Sequence, residues 1–276
     1  MLSVIIVSYN SRNILELCIK SVQKSIFDNI DYEFIIINNQ INEKIVFNNI
    51  SDTSSINIFD QNTNIGYSKA INFGVEKSSG DMILILNPDV EILNDAIPQM
   101  YNYINKHNNV GVVGAKVLDQ NGNFKLYSRR RFPHMVISIS YFLKLHYLGL
   151  INYYNYEDVD NTFIQKVDSI SGCCMMFRKK TFVDNKGFNE KFFLYFEDTY
   201  FCWKINKTKQ SVFYYPNACI IHHGGLSTKT LPLLLKYFYF YKSLLIFIII
   251  NINEYKNFLI NCILLLIIFI IFILNI

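Results

Sequence analysis

Asp81-Met82-Ile83-Leu84-Ile85-Leu86-Asn87-Pro88-Asp89-Val90-Glu91 is the stretch that decides the fold. Its apolar run, Met82 to Leu86, stops at an Asn-Pro-Asp. A short apolar run bounded by polar residues fits a strand buried on both faces, the kind found at the centre of a mostly parallel sheet. Pro88 has no N–H to give to a ladder and disfavours helix at Asn87, so the strand is expected to end there. Asp89 would then stand just past the carboxyl end of a central strand, where open α/β sheets take their ligands. A carboxylate fixed at that place can hold a hard divalent cation and, through it, a diphosphate. An ordinary strand-to-helix turn with an aspartate cap fits the same residues, and the stretch alone leaves both readings open.

Toward the N-terminus, Ser3–Ser8 reads as a first buried strand, followed by Tyr9-Asn10-Ser11, where Asn10 or Ser11 can cap a helix. Ile14, Cys18, Val22 and Ile26 recur every four residues, so one face of that helix packs on the sheet. The turn before it contains no glycine, which argues against the dinucleotide fingerprint and an NAD-dependent oxidoreductase. Glu33–Ile37 is a second strand ending at Asn38-Asn39, and Ile56–Phe59 a third. In Asn62–Gly74, Gly66 suits a tight turn into a helix running to about Lys77, and Gly74 suits close backbone approach. Strands and helices alternating in this order give a βαβ-type layout and an α/β fold.

Beyond the central stretch, Ile92, Leu93, Ala96, Ile97, Met100, Tyr103 and Ile104 are expected on one helix face. Val110–Leu118 is a strand, with a turn at 119–123 before a further strand at Phe124–Tyr127. Arg129-Arg130-Arg131 follows. An arginine triplet is more often a solvated loop than a site, although here it could also meet lipid phosphates or an anionic donor. Phe132–Gln165 is aromatic and irregular, and is read as a lid or acceptor-side segment. Val167–Phe177 is a buried strand, and Lys180–Asn185 a short helix.

Phe192–Lys204 places Glu197 and Asp198 between bulky aromatics at the start of a helix. Charges in such surroundings need a partner or a task, although one of them could simply cap the helix. Ser211–Tyr215 and Ala218–Ile221 are further strands, the second ending at His222-His223-Gly224-Gly225. A lone histidine is usually structural, but one placed after a strand and before two glycines can reach a metal or a phosphate.

The 276 residues suffice for one large α/β domain and an appendage. A net charge of +4, without a basic run mixed with aromatics, gives no sign of nucleic-acid binding. Six cysteines without a CxxC pair fit small core residues of a reduced, cytosolic protein. The first residues are strand-like and lack a basic leader, so secretion by a signal peptide is not expected. After Lys229 the composition turns apolar: Leu231–Ile250 is interrupted by Lys236 and Lys242, and Phe258–Leu274 has only Asn261 clearly polar. The second run approaches the length of a bilayer span, and the lysines before it place the catalytic part on the cytoplasmic side. The division expected is one large α/β domain over 1–230 and a membrane-associating helical tail over 231–276, the tail either spanning or dipping into the bilayer.

In its motifs the chain resembles the family-2 inverting glycosyltransferases of the GT-A fold, in particular the rhamnosyltransferase-like branch of bacterial surface polysaccharide synthesis. The resemblance rests on Val7-Ser8-Tyr9-Asn10, on Asn64-x-Gly66-Tyr67 leading to Ala70-x-Asn72, and on Leu86-Asn87-Pro88-Asp89. It continues through Ser171-Gly172-Cys173, Gly187–Phe193, Phe196-Glu197-Asp198 and His222-x-x-Gly225-x-Ser227, in the family's order from about residue 1 to 229. What the resemblance implies is a GT-A (nucleotide-diphospho-sugar transferase) fold, a divalent metal, Mg²⁺ or Mn²⁺, and a nucleotide-sugar donor, with dTDP-rhamnose favoured. It further implies a lipid-linked glycan acceptor and attachment to the cytoplasmic face of the bacterial inner membrane, in O-antigen or capsule synthesis. By the same resemblance Asp198 is the catalytic base and Glu197 orients it or the acceptor. Asp89 and His222 lie at the metal and diphosphate, and Val7, Tyr9, Asn10, Asn38, Asn64, Gly66, Asn72 and Asn87 along the donor.

Three positions depart from the family pattern: Asn38 and Asn87 stand where aspartates are usual, and Tyr200 stands where many relatives carry a further aspartate. They motivate one alternative, a catalytically degenerate scaffold of a membrane glycan-assembly complex. A glycosidase using Glu197 and Asp198 is another, although it needs two carboxyls facing one bond about 5–10 Å apart. The transferase reading requires Asp89 and Asp198, over a hundred positions apart, to meet at one cavity. A tight ion pair turning either of them away from solvent would count against it.

Overall fold

A computed structural model of the chain describes all residues except 27–29, 42–43, 51, 134–153, 225–230, 252–265 and 272–276. Its centre is a sheet in which β1 (Leu2–Ser8) pairs in parallel with β2 (Tyr32–Asn38) on one side and β4 (Met82–Leu86) on the other; β3 (Ile56–Asp60) extends β2. Beyond β4 the direction changes. β10 (Cys174–Arg178) runs antiparallel between β4 and β6 (Val110–Leu118), and β11 (Ser211–His222) returns parallel to β6. The sheet is therefore parallel in its N-terminal half and mixed beyond β4, with β5 (Val90–Ile92) and β8 (Gln165–Val167) antiparallel on β11. A separate pair joins β7 (Arg129–Arg130) to β9 (Ser169–Ile170).

Both faces are covered, as the continuous apolar strands require. Along β1 and β2 the side chains alternate: Leu2, Val4, Ile6, Phe34 and Ile36 meet Leu15, Cys18, Ile19 and Val22 of α1 (Arg12–Ser25), and Met100 and Ile104 of α3 (Ala96–Lys106). On the opposite face Ile5, Val7, Ile35 and Ile37 meet Ala70, Ile71 and Val75 of α2 (Tyr67–Lys77), with Phe182 of α4 (Lys179–Asp184) and Phe201 of α5 (Glu197–Asn206). At Gly74 a Cβ would come 2.6 Å from Ile5 Cγ2, so α2 sits on β1 at a distance that only glycine permits.

Several boundaries differ from the sequence expectation, each for a local reason. Ile92 belongs to β5 and not to the helix, because the chain first pairs with β11; α3 begins only at Ala96. Phe124–Tyr127 makes a single bridge, Phe124 to Leu118, before a 3₁₀ turn at Leu126–Ser128. The segment expected as one strand over Val167–Phe177 breaks at Ser171–Cys173, where the backbone turns into the site. Ser211–Tyr215 and Ala218–Ile221 form one strand, carried through Pro216 by an irregularity between Tyr215 and Cys219. Ser11 stands at the α1 N-cap, but its hydroxyl pairs with that of Ser8 at 3.0 Å. Of the segment Phe132–Gln165, residues 134–153 lie outside the described residues, as does most of Phe258–Leu274.

The tail contributes α6 (Leu233–Ile250), which docks on the α/β body through Leu244, Phe247 and Ile248 against Phe192 and Phe196. The five described cysteines are free thiols, four of them buried.

Candidate active site

The parallel strands all deliver their carboxyl ends to one edge, and β10, being antiparallel, starts at that same edge. Tyr9 follows β1, Asn39 follows β2, Asn87-Pro88-Asp89 follows β4, Gly172 and Cys173 precede β10, and His222 ends β11. Asn87 N–H donates to Cys173 O at 2.9 Å, continuing the β4–β10 seam past the last ladder pair. These residues surround a cavity of about 540 Å³, whose other lining includes Asn64, Gly66, Tyr67, Arg130, Glu197 and Asp198. The volume suits a small organic ligand.

On the sheet side, Asp89 is 2% exposed and its Oδ1 lies 3.1 Å from His222 Nε2. The other ring nitrogen, Nδ1, is 3.0 Å from the Tyr127 hydroxyl, which fixes the ring so that Nε2 faces the carboxylate. Asn87 Oδ1 accepts from the Tyr67 hydroxyl at 3.3 Å. Burial, followed by the charges of Glu197 and Asp198, pushes the Tyr67 phenol well up, so it stays a neutral donor. Among the described residues no group of three His, Cys, Asp or Glu side chains converges as a complete metal cage. An Asp–His pair at a cavity wall nonetheless fits an octahedral cation that keeps few protein ligands and completes its shell with water and substrate phosphates.

Across the cavity, α5 opens with Glu197 and Asp198, 6% and 7% exposed. The residues before them, Tyr195 (φ +69) and Phe196 (φ +66), are both left-handed, a conformation costing roughly 1–3 kcal/mol at each non-glycine position. Packing over-determines it: Phe196 meets Phe240 and Phe247 of α6, and Ser243 donates to Leu194 O at 2.7 Å. The strain turns both carboxylates toward the interior.

Asp198 is held at both oxygens. Oδ2 accepts from Arg130 Nη2 at 2.5 Å and from Gly172 N–H at 2.8 Å; Oδ1 accepts from the Thr199 N–H and hydroxyl. Glu197 differs, since its buried Oε2 has no hydrogen-bond partner among the described residues. Burial, reinforced by the adjacent Asp198 charge, raises the Glu197 carboxyl well above the ordinary carboxylate range. Asp198 is thus ion-paired, but Arg130 and Asp198 both line the cavity and do not turn away from it.

Of the residues expected along the donor, Val7, Tyr9, Asn64, Gly66 and Asn87 line the cavity. Asn10, Asn38 and Asn72 do not. Asn10 is exposed; Asn38 Nδ2 donates to Asp60 Oδ1 at 2.7 Å. Asn72 is a staple, receiving Phe188 N–H and donating to Phe188 O at 3.0 Å, which ties α2 to the 187–190 turn. Asn39, which drew no notice in the sequence, lines the cavity instead and orders its rim by donating to Asn64 Oδ1 at 2.9 Å and accepting from Ile65 N–H. Arg130, Tyr67 and Tyr127 were also missed as site residues. The arginine triplet was the sequence signal for Arg130 and the Asn64-x-Gly66-Tyr67 motif that for Tyr67, while Tyr127 stood only as a strand end.

The last wall comes from the tail. Leu231, Leu235 and Tyr239 line the cavity, and Tyr239 stacks on Phe193 with ring centroids 4.8 Å apart. The Phe193 carbonyl in turn accepts Tyr67 N–H at 2.8 Å.

The profile described as Glycosyl transferase family 2 matches residues 3–184. Among curated proteins, the low-salt glycan biosynthesis hexosyltransferase Agl10 of Haloferax volcanii is 25% identical over 212 residues, covering 75% of this chain and 62% of that protein. The N-acetylglucosaminyl-diphospho-decaprenol L-rhamnosyltransferase of Mycobacterium tuberculosis is 23% identical over 192 residues, 63% of this chain and 61% of that protein. Rhamnosyltransferase WbbL of Escherichia coli is 27% identical over 172 residues, 60% and 61% of the two chains. The chain thus spans about three-fifths of each relative's length. Among solved structures, GalNAc-T7 with UDP, GalNAc and Mn²⁺ superposes with a TM-score of 0.59 at 14% identity, over 80% of this chain and 43% of that one. S. aureus TarS 1–349 gives a TM-score of 0.53 at 14% identity, over 88% and 70%. At such identity these likenesses show the fold alone, which is GT-A.

Proposed function

Because the chain belongs to glycosyl transferase family 2, and is a glycosyltransferase, we propose that its cavity takes a nucleotide-diphosphate sugar and passes the sugar, with inversion, to a lipid-linked glycan acceptor. Rhamnose, carried as dTDP-rhamnose, is the favoured sugar, because two of the similar proteins named above are rhamnosyltransferases. The observation that carries the reading is the opening of Asp89 and Asp198 into one cavity.

The donor nucleotide lies at the ends of β1 and β2, past Val7, Tyr9, Asn39 and Asn64, and its diphosphate beside Asn87 and Asp89. A divalent cation, Mg²⁺ or Mn²⁺, would be held there by Asp89 and His222 and would supply positive charge to the leaving diphosphate. Asp198 takes the proton of the acceptor hydroxyl as that oxygen bonds to the anomeric carbon; the bond to the diphosphate oxygen breaks, and the nucleoside diphosphate leaves with the electron pair. Attack from the face opposite the leaving group inverts the centre. Glu197, neutral in its buried setting, donates a hydrogen bond that orients the acceptor.

Residues 1–230 form the transferase domain in this reading, and 231–276 a tail that holds it at the cytoplasmic face of the bacterial inner membrane. Supporting this, α6 has a mean hydropathy of 1.8 over 18 residues with only 22% of that window buried, whereas the core helix of a water-soluble protein would be mostly covered. The reading is tested by incubating the purified chain with a panel of nucleotide sugars and a bacterial lipid extract. Release of dTDP from dTDP-rhamnose, dependent on the extract, is expected; no release from any donor would overturn it.

A further inference from the structure

Arg130 stands in the middle of a triplet whose members do three different things. Arg129 is 1% exposed and its guanidinium donates to the carbonyls of Tyr156, Val159 and Asp160, latching the 156–160 turn onto β7. Arg131 pairs with Asp158 through two bonds, at 2.8 and 3.0 Å, and lies 4.1 Å from the Tyr156 ring centroid. Arg130 points the other way, as alternation along a strand requires, and spans 68 positions of sequence to reach Asp198. Its Nη2 also donates to Ile170 O at 3.1 Å, so the guanidinium is fixed against β9 before it meets the carboxylate.

Resting on the reading of Asp198 as proton acceptor, we propose that Arg130 is its positioning residue. The clamp of Arg130 and Gly172 N–H on Oδ2, opposed by the Thr199 N–H and hydroxyl on Oδ1, sets the carboxylate plane at the cavity wall. The neighbouring groups are consistent with this. Glu197 adjoins Asp198 on α5, Cys202 lies one turn on, Tyr67 approaches from α2, Cys173 from the start of β10, and Tyr154 stands near Arg130. Arg130 is the one cation among them. Burial would lower its guanidinium, but the Asp198 charge more than offsets this and raises it. Removing it leaves two adjacent buried carboxyls with no neutralising charge among these neighbours.

The experiment compares Arg130→Gln, Arg130→Lys and Asp198→Asn in the full chain, using dTDP-rhamnose and lipid extract as probes and following kcat and donor KM across pH. Arg130→Gln is expected to lower kcat by about 10- to 100-fold and to move the acidic limb of the profile up by about one unit or more. Donor KM should stay within about twofold, with Arg130→Lys restoring part of kcat. A rise confined to donor KM would instead make Arg130 a diphosphate ligand and overturn the proposal. Unchanged kcat and pH profile in Arg130→Gln, with Asp198→Asn inactive, would overturn it while sparing the base assignment. An active Asp198→Asn overturns the base assignment itself. Should Arg130→Gln fail to fold, Arg130→Lys with a wild-type profile at every pH refutes the positioning role, because a monodentate ammonium cannot reproduce the fixed guanidinium plane.

Discussion

His222 Nε2 lies 3.1 Å from Asp89 Oδ1, although the two residues are 133 positions apart in the chain. One closes the last long strand and the other follows the Asn-Pro break after the central one, so the sheet itself sets their separation. Replacing Asp89 with Asn keeps the shape and removes the charge. Transfer is expected to fall by about 100-fold or more, and His222→Ala by less, since the carboxylate carries the charge. EDTA should suppress turnover and added Mn²⁺ or Mg²⁺ restore it. Chelation without effect on initial rates would exclude a cation at this pair.

Asp198→Asn should abolish transfer yet leave nucleotide binding intact, because Asp198 lies across the cavity from the β1 and β2 ends. Calorimetry with dTDP reads the binding, and release of dTDP from dTDP-rhamnose reads the transfer. A loss of at least about 100-fold in kcat is expected for a missing general base.

Glu197 gives a stability signature that needs no substrate. Its folded-state carboxyl is raised above the ordinary value of 4.5, by burial first and then by Asp198. Between these values the folded chain holds a proton that the unfolded chain has released, so stability falls as pH climbs above about 4.5. Glu197→Gln removes that loss. Its melting temperature should match the parent near pH 4.5 and exceed it on the alkaline side, by about 2–4 °C for each kcal/mol relieved. Parallel melting curves for the two chains from pH 5 to 9 would contradict the assignment.

Gly66 offers a steric test of the cavity wall. Its φ is +81°, and a Cβ there would lie 2.7 Å from Phe193 Cδ2 and 3.0 Å from Phe193 O. Gly122 has nearly the same φ, +80°, with nothing among the described residues within 4 Å of a Cβ there. Gly66→Ala should therefore cost more than Gly122→Ala by roughly 1–3 kcal/mol, the difference being the displacement of Phe193. Denaturation midpoints measure it, and equal losses would mean that Phe193 moves freely.

For the tail, the prediction concerns partition. Leu233, Leu234, Tyr237 and Phe238 of α6 are exposed, at 64%, 55%, 45% and 39%, and Lys236 and Lys242 lie on the same helix. Co-sedimentation with phosphatidylglycerol-containing vesicles should fall several-fold in a Leu233→Glu/Leu234→Glu chain. Undiminished sedimentation would remove this helix from the membrane contact.

What the sequence made legible was the part governed by short-range rules. The strand ending at Asn87-Pro88, the helix after Gly66 and the close packing at Gly74 follow from proline, glycine and apolar spacing, and all stand in the structure. Asp89, Glu197, Asp198 and His222 were selected by residue type at element ends, and the fold brings them to one cavity. The Arg130–Asp198 pair was illegible, because a buried ion pair is a property of two surfaces meeting and an arginine triplet on its own looks like a solvated run. Asn72 misled for the opposite reason: its amide had a structural partner, Phe188, that no local pattern revealed. Asn39 escaped beside Asn38 because in a strand neighbouring side chains face opposite ways, and the end of the strand decides which of the two faces the cavity.

The stretch that matches the family ends at residue 184, yet Leu231, just before α6, and Leu235 and Tyr239 within it line the same cavity. Part of the cavity is therefore supplied from beyond that stretch, by the tail as well as by Glu197, Asp198 and His222. A chain cut after residue 230 would lose Leu231, Leu235 and Tyr239 from the cavity and, with Tyr239, the ring stacked on Phe193, so the tail completes the pocket as well as extending the chain.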